Sequence, residues 1–73
     1  MYSKYHCRQC TYTKNRLTRL GVPFTEVNVE DDDNALLFIK QLGYLAAPVV
    51  YVNKKIHWSG FRPDDIDKLR ELL

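Results

Sequence analysis

The period at which apolar and polar residues alternate changes several times along the chain, and each change marks a predicted element. Met1-Tyr2-Ser3 opens as a short extended segment. From Arg8 to about Leu20, Leu17 and Leu20 share a stripe with Thr13 and Cys10, the three-to-four-residue spacing of a helix face. Gly21 follows where a left-handed residue closes a helix, and Pro23 starts the next element. Phe24-Thr25-Glu26-Val27-Asn28-Val29 alternates with a period of two, which predicts a strand with one face on a core. Asp31 to Asp33 end that strand and suit the N-terminus of a second helix, whose stripe is Leu36, Ile39 and Leu42 and whose end is Gly43.

Beyond that helix, Pro48-Val49-Val50-Tyr51-Val52 is β-branched and aromatic, and Asn53-Lys54 turns it into Lys55-Ile56-His57-Trp58, together an antiparallel hairpin. Ser59-Gly60-Phe61-Arg62 reads as a loop. Pro63 suits the first position of a third helix, Asp64 and Asp65 complement its dipole, and Ile66, Leu69, Leu72 and Leu73 give its apolar face. The predicted order is β-α-β-α-β-β-α. A strand-helix-strand start implies a parallel, right-handed crossover, and the hairpin extends the sheet, so an α/β fold results: a four-stranded mixed sheet flanked by three helices, with a short first strand.

Composition narrows the function more than the fold. Seventy-three residues, 45% hydrophobic and 27% charged, fit one small domain spanning 1–73, with no repeat or linker. The net charge of +2 comes from 11 basic and 9 acidic residues spread along the chain, so no basic stripe suggests nucleic acid. No apolar run approaches the roughly 18 residues of a membrane span, and the first residues lack the pattern of a signal peptide, which predicts a cytoplasmic protein with no membrane partner. Cys7 and Cys10 are the only cysteines. In a reducing compartment such a pair is more often catalytic or metal-binding than a structural staple.

Cys7-Arg8-Gln9-Cys10 stands where the extended start gives way to the first helix. Residues three apart lie on one helix face, which brings the second cysteine within the roughly 5.5–6 Å Cα separation a disulfide needs. Cys7 would cap the helix, its sulfur exposed to backbone N–H groups and the positive end of the dipole, with Lys4 and Arg8 adding charge that favours a thiolate. Cys7 is then the expected nucleophile and Cys10 the buried resolving thiol. Half of a tetrahedral zinc site has the same CxxC spacing. Its other half is missing: His6 is too close to Cys7, and His57 has no partner at the right spacing, so a zinc-bridging module would need a second chain. No metal site is expected within this one.

The element order, with CxxC after the first strand and Ala47-Pro48 before the third, resembles the thioredoxin fold at its glutaredoxin-like size. Within that superfamily Cys7-Arg8-Gln9-Cys10, Leu42-Gly43-Tyr44, Ala46-Ala47-Pro48-Val49-Val50 and Trp58-Ser59-Gly60-Phe61-Arg62-Pro63 resemble the NrdH redoxins over nearly the whole chain. The resemblance implies a thiol-disulfide oxidoreductase that takes electrons from NADPH through thioredoxin reductase and passes them to a class Ib ribonucleotide reductase. It implies no bound cofactor beyond a redox-active Cys7–Cys10 disulfide, and a monomer. It also implies a cis Ala47-Pro48 bond that turns the residue-47 backbone towards the dithiol, where an extended substrate segment can pair with it. Trp58, Ser59, Gly60, Phe61 and Arg62 occupy the region where glutathione-binding glutaredoxins carry a Gly-Gly turn and an acidic cap, and are expected to dock the reductase. A glutathione-dependent glutaredoxin is the alternative. Three features depart from the family pattern: the short first strand, Tyr5-His6 before the first cysteine, and Arg8 where Val is common. Tyr12, Tyr44 and Tyr51 are read as packing residues.

Overall fold

The computed structural model describes residues 1–73. Its elements are β1 (Tyr2–Ser3), α1 (Arg8–Arg19), β2 (Val27–Asn28), α2 (Asp33–Gln41), β3 (Val49–Tyr51), β4 (His57–Ser59) and α3 (Pro63–Leu72). The sheet order is β2-β1-β3-β4, with β1 parallel to β2 and antiparallel to β3, and with β3 antiparallel to β4. This is the predicted four-stranded mixed sheet with three helices.

Both faces of the sheet are covered. Val50 and Trp58 point to the side on which Cys10 and Leu17 of α1 meet Ile66 and Leu69 of α3. Val29 and Val49 meet Ala35 and Ile39 of α2 on the other side. Period-two alternation thus puts adjacent Val49 and Val50 into opposite cores, both buried. Arg16 locks α1 to α3 through a two-pronged pair with Asp67, at 2.8–3.1 Å, and the Arg70 Nε–H group donates to the Leu20 carbonyl at 2.9 Å. No helix is long and apolar enough to cross a membrane.

Both predicted glycine stops form. Gly21 (φ 70°) and Gly43 (φ 94°) adopt the left-handed conformation that a side chain would strain. In each case the following N–H, of Val22 or Tyr44, returns to the third-last helical carbonyl, of Leu17 or Ile39, at 3.0 Å. Asp32 caps α2 by accepting from the Ala35 N–H at 3.1 Å.

Two strands differ from expectation. Only Val27–Asn28 of the predicted Phe24–Val29 strand joins the ladder, because β1 offers just Tyr2 and Ser3 as partners. The ladder ends with Val27 and Val29 N–H groups donating to the Met1 and Ser3 carbonyls, both at 2.9 Å, and Phe24 instead packs on the α1–α3 core. The hairpin turn is wider than Asn53-Lys54. The Asn53 side-chain oxygen accepts from the Lys55 and Ile56 N–H groups, at 2.8 and 3.0 Å, so an Asx-type turn consumes residues 52–56. Strand β4 consequently begins at His57 and includes Ser59, which the sequence placed in a loop.

Candidate active site

Cys7 is the N-cap residue of α1, with extended backbone (φ −118°), and its Sγ accepts from the Cys10 N–H at 3.1 Å. The Thr11 N–H donates to the Cys7 carbonyl at 3.2 Å. Cys7 therefore sits where unsatisfied helix N–H groups and the dipole concentrate positive potential. Its partner is placed differently. Cys10, one turn on, is 5% exposed and belongs to the core cluster with Leu17, Trp58 and Ile66. The two form a disulfide across a Cα separation of 5.2 Å. One sulfur is thus half-exposed at a helix tip and the other is in the core, a consequence of a helix starting at residue 8.

The loop before Cys7 is fixed from outside. The Tyr5 N–H donates to Glu30 Oε1 at 2.8 Å and the Tyr5 hydroxyl to Asp31 Oδ2 at 2.6 Å, which raises the phenol's pKa through that bond and the carboxylate's charge. His6 takes a left-handed conformation, φ 55°, uncommon outside glycine. Lys4 and Arg8 are exposed and, with His6, line the depressions on both sides of Cys7.

Ala47 lines one of those depressions together with Cys7, and the Ala47-Pro48 bond is cis. The segment carrying it is tied to β4 and its exit: Ser59 Oγ donates to the Ala46 carbonyl at 3.1 Å, and the Gly60 N–H to the Pro48 carbonyl at 2.8 Å. The Tyr44 hydroxyl and His57 Nδ1 share a hydrogen bond of 2.7 Å. Gln9 closes the frame, its Oε1 accepting from the Phe61 N–H at 3.1 Å.

The expected docking run divides. Trp58 is 7% exposed and lies inside the core, with its indole Nε1–H buried and unpaired, so it is a packing residue and not a contact surface. The reason is register: Trp58 pairs with Val50, and side chains at one register position share a face of the sheet. Ser59, Gly60 and Phe61 are half-buried and Arg62 is exposed, held near Asp65 at 3.6 Å. Conversely Tyr12, read as packing, is 52% exposed and rests against the Phe61 ring at 5.8 Å. Leu45, passed over in the sequence, is 92% exposed two residues before Ala47. Tyr12 lies off the Cys10-Thr13-Leu17 stripe, a signal present in the sequence.

Residues 1–58 match the glutaredoxin family model. The glutaredoxin-like protein NrdH of Lactococcus lactis subsp. cremoris (strain MG1363) is 33% identical over 69 residues, 94% of each chain. That of Escherichia coli (strain K12) is 35% identical over 69 residues, covering 94% of this chain and 84% of the relative. The solved structure of E. coli NrdH-redoxin, a glutaredoxin-like protein described as having a thioredoxin-like activity profile, superposes with a TM-score of 0.87 at 35% identity, covering 93% of this chain and 88% of that one. With a glutaredoxin match over most of its length and a dithiol-disulfide at the tip of its first helix, the chain belongs to the NrdH redoxins, glutaredoxin-like proteins of the thioredoxin fold.

Proposed function

We propose that this redoxin carries electrons from NADPH, through a thioredoxin reductase, to a class Ib ribonucleotide reductase, working as a cytoplasmic, monomeric single domain. The observation that carries the chemistry is the asymmetry of the two sulfurs, Cys7 at the helix tip and Cys10 in the core. In the reduced protein the Cys7 thiolate attacks one sulfur of a partner disulfide, and the other sulfur leaves as a thiolate that takes up a proton. Cys10 then loses its proton and attacks Cys7 Sγ, expelling the second partner thiol. The partner gains two electrons and two protons, and the protein is left with the Cys7–Cys10 disulfide for the reductase to reopen.

Lys4 and Arg8, beside the N-cap, favour the attacking thiolate. The backbone at Ala47, held by the tie of Ser59 to Ala46, offers an edge along which an extended partner segment can lie. Tyr12, Phe61 and Leu45 supply apolar contact for the reductase, as aromatic residues do at interface centres. The thioredoxin-like activity profile described for the E. coli relative supports this electron source.

The test is an NADPH-coupled assay run in parallel with thioredoxin reductase and with glutathione plus glutathione reductase. The expected result is efficient turnover with thioredoxin reductase. Efficient turnover only in the glutathione system would replace this reading by the glutathione-dependent one.

A further inference from the structure

We propose that the disulfide this protein reduces lies in an acidic segment of its partner, recognised by Lys4, His6 and Arg8. The proposal rests on the reading of Cys7 as the attacking thiol.

The depression between Cys7 and Ala47 is lined by Lys4, His6, Arg8 and Gln9, and by no carboxylate. On the other side of Cys7 the same three basic side chains recur with Lys14 and Glu26, but those two pair with each other at 3.3 Å. Neither Lys4 nor Arg8 takes part in any of the three salt bridges of the molecule. The acids next in line, Glu30 and Asp31, are engaged by the Tyr5 N–H and hydroxyl and line neither depression. Their bonds to Tyr5 instead brace the loop that presents His6.

Arg8 also runs against helix electrostatics. A cation in the first turn opposes the macrodipole, and α2 and α3 carry Asp33, Asp64 and Asp65 there. The first turn of α1 has no acid. The Cys7 thiolate offsets this charge only while the protein is reduced. In the mixed disulfide both sulfurs are neutral, and the cationic rim together with the helix terminus faces whatever covers it. A partner segment lying along Ala47 projects alternate side chains toward this rim. Carboxylates on that segment complete the charge balance that the protein itself leaves open, and steer the encounter.

Two cyclic disulfide peptides of equal length distinguish the chemistry, one with Asp and Glu flanking its cysteines and one with Lys, with 2-hydroxyethyl disulfide as a neutral probe. Pre-reduced protein, freed of reductant, is mixed with each, and the rate of peptide reduction is followed by chromatography. The acidic peptide is expected to react about tenfold faster or more at low salt, as for other charge-steered encounters. The ratio should shrink towards one near 1 M salt, where the screening length is about 3 Å. In the double variant Lys4→Glu/Arg8→Glu the preference should reverse. The variant Lys54→Glu/Lys55→Glu, which makes the same charge change in the distant hairpin turn, should keep it. Equal rates for the two peptides, with the neutral probe also reduced, would overturn acidic recognition while leaving the dithiol chemistry standing. Reduction of none of the three would overturn the attacking role of Cys7 and the present proposal with it.

Discussion

Trp58 and Phe61 stand three residues apart in one motif, yet their removal should have opposite consequences. Trp58 is 93% buried by its 7% exposure, and truncating such a side chain to Ala costs about 3–5 kcal/mol. A chain of this length has a total stability of about 4–11 kcal/mol at 0.05–0.15 kcal/mol per residue, so Trp58→Ala should remove from about a quarter of it to all of it. At roughly 4–8 °C per kcal/mol for a small domain, the midpoint should fall by about 12–40 °C. The unpaired Nε1–H refines the expectation, because burying such a group without a partner costs about 1–3 kcal/mol, and Trp58→Phe removes that cost along with some ring area. Trp58→Phe should therefore lie much closer to the wild type than Trp58→Ala. Phe61 is only half-buried against Tyr12, so Phe61→Ala should cost about 1–2 kcal/mol. Guanidinium unfolding of the oxidised proteins measures the first quantity, and the KM for thioredoxin reductase, measured well below each midpoint, measures docking. Phe61→Ala should raise KM severalfold, and Trp58→Ala, which acts on docking only through the packing of β4, should raise it less than Phe61→Ala does. A Trp58→Ala protein with an unchanged unfolding midpoint and a raised KM would refute the assignment of this indole to the core.

Cys7→Ser should abolish disulfide reduction, whereas Cys10→Ser should retain the first attack and accumulate mixed disulfides with the partner on non-reducing gels. Faster iodoacetamide labelling of Cys10 than of Cys7 in the reduced protein would contradict these roles, since rate follows thiolate fraction and exposure. Glu26 should contribute to acid sensitivity. The Ser3 hydroxyl, donating at 2.8 Å, and the Lys14 ammonium hold its carboxyl below the usual carboxylate range. A lowered folded pKa means stability present above the unfolded value of about 4.3 and lost as pH falls through the folded one. The amount should stay below about 1 kcal/mol because the group is solvent-screened. Glu26→Gln should flatten the stability profile below pH 5, and an unchanged profile, measured by denaturation between pH 3 and 7, would show that the Ser3 contact carries no such linkage.

What was legible in the sequence is what depends on a residue's own neighbourhood. Gly21 and Gly43 mark helix ends because the conformation required there is set locally, and Cys7 and Cys10 share a helix tip because their spacing and the start of α1 leave no other arrangement. The length of β2 was not legible, since a strand extends only as far as its neighbour pairs with it, and β1 supplies two residues. Nor was the facing of Trp58. A shift of one residue in hairpin register would turn it outward, and the register depends on how many residues the turn consumes, here fixed by the Asn53 side chain. Tyr12 could have been placed correctly, because it falls off the stripe of Cys10, Thr13 and Leu17 that α1 buries.

The motif around Trp58 acquires a different meaning from this geometry. Its indole anchors β4 in the α1–α3 core, and from that anchor Ser59 reaches the Ala46 carbonyl, Gly60 the Pro48 carbonyl, and Phe61 the Gln9 side chain between the two cysteines. Three consecutive residues thus join the helix tip to the Ala46–Pro48 segment. Their hydrogen bonds use two backbone N–H groups and one short hydroxyl as donors, so the distance between Cys7 and the Ala47 backbone is set by β4, its exit and the Gln9 side chain that receives the Phe61 N–H. Around that frame lie the apolar surface of Tyr12, Phe61 and Leu45 and the unpaired charges of Lys4 and Arg8; on the proposed function, specificity is left to these groups. On that reading, a redoxin built this way changes its partners by altering exposed residues while the spacing of Cys7 from the Ala47 backbone stays constant.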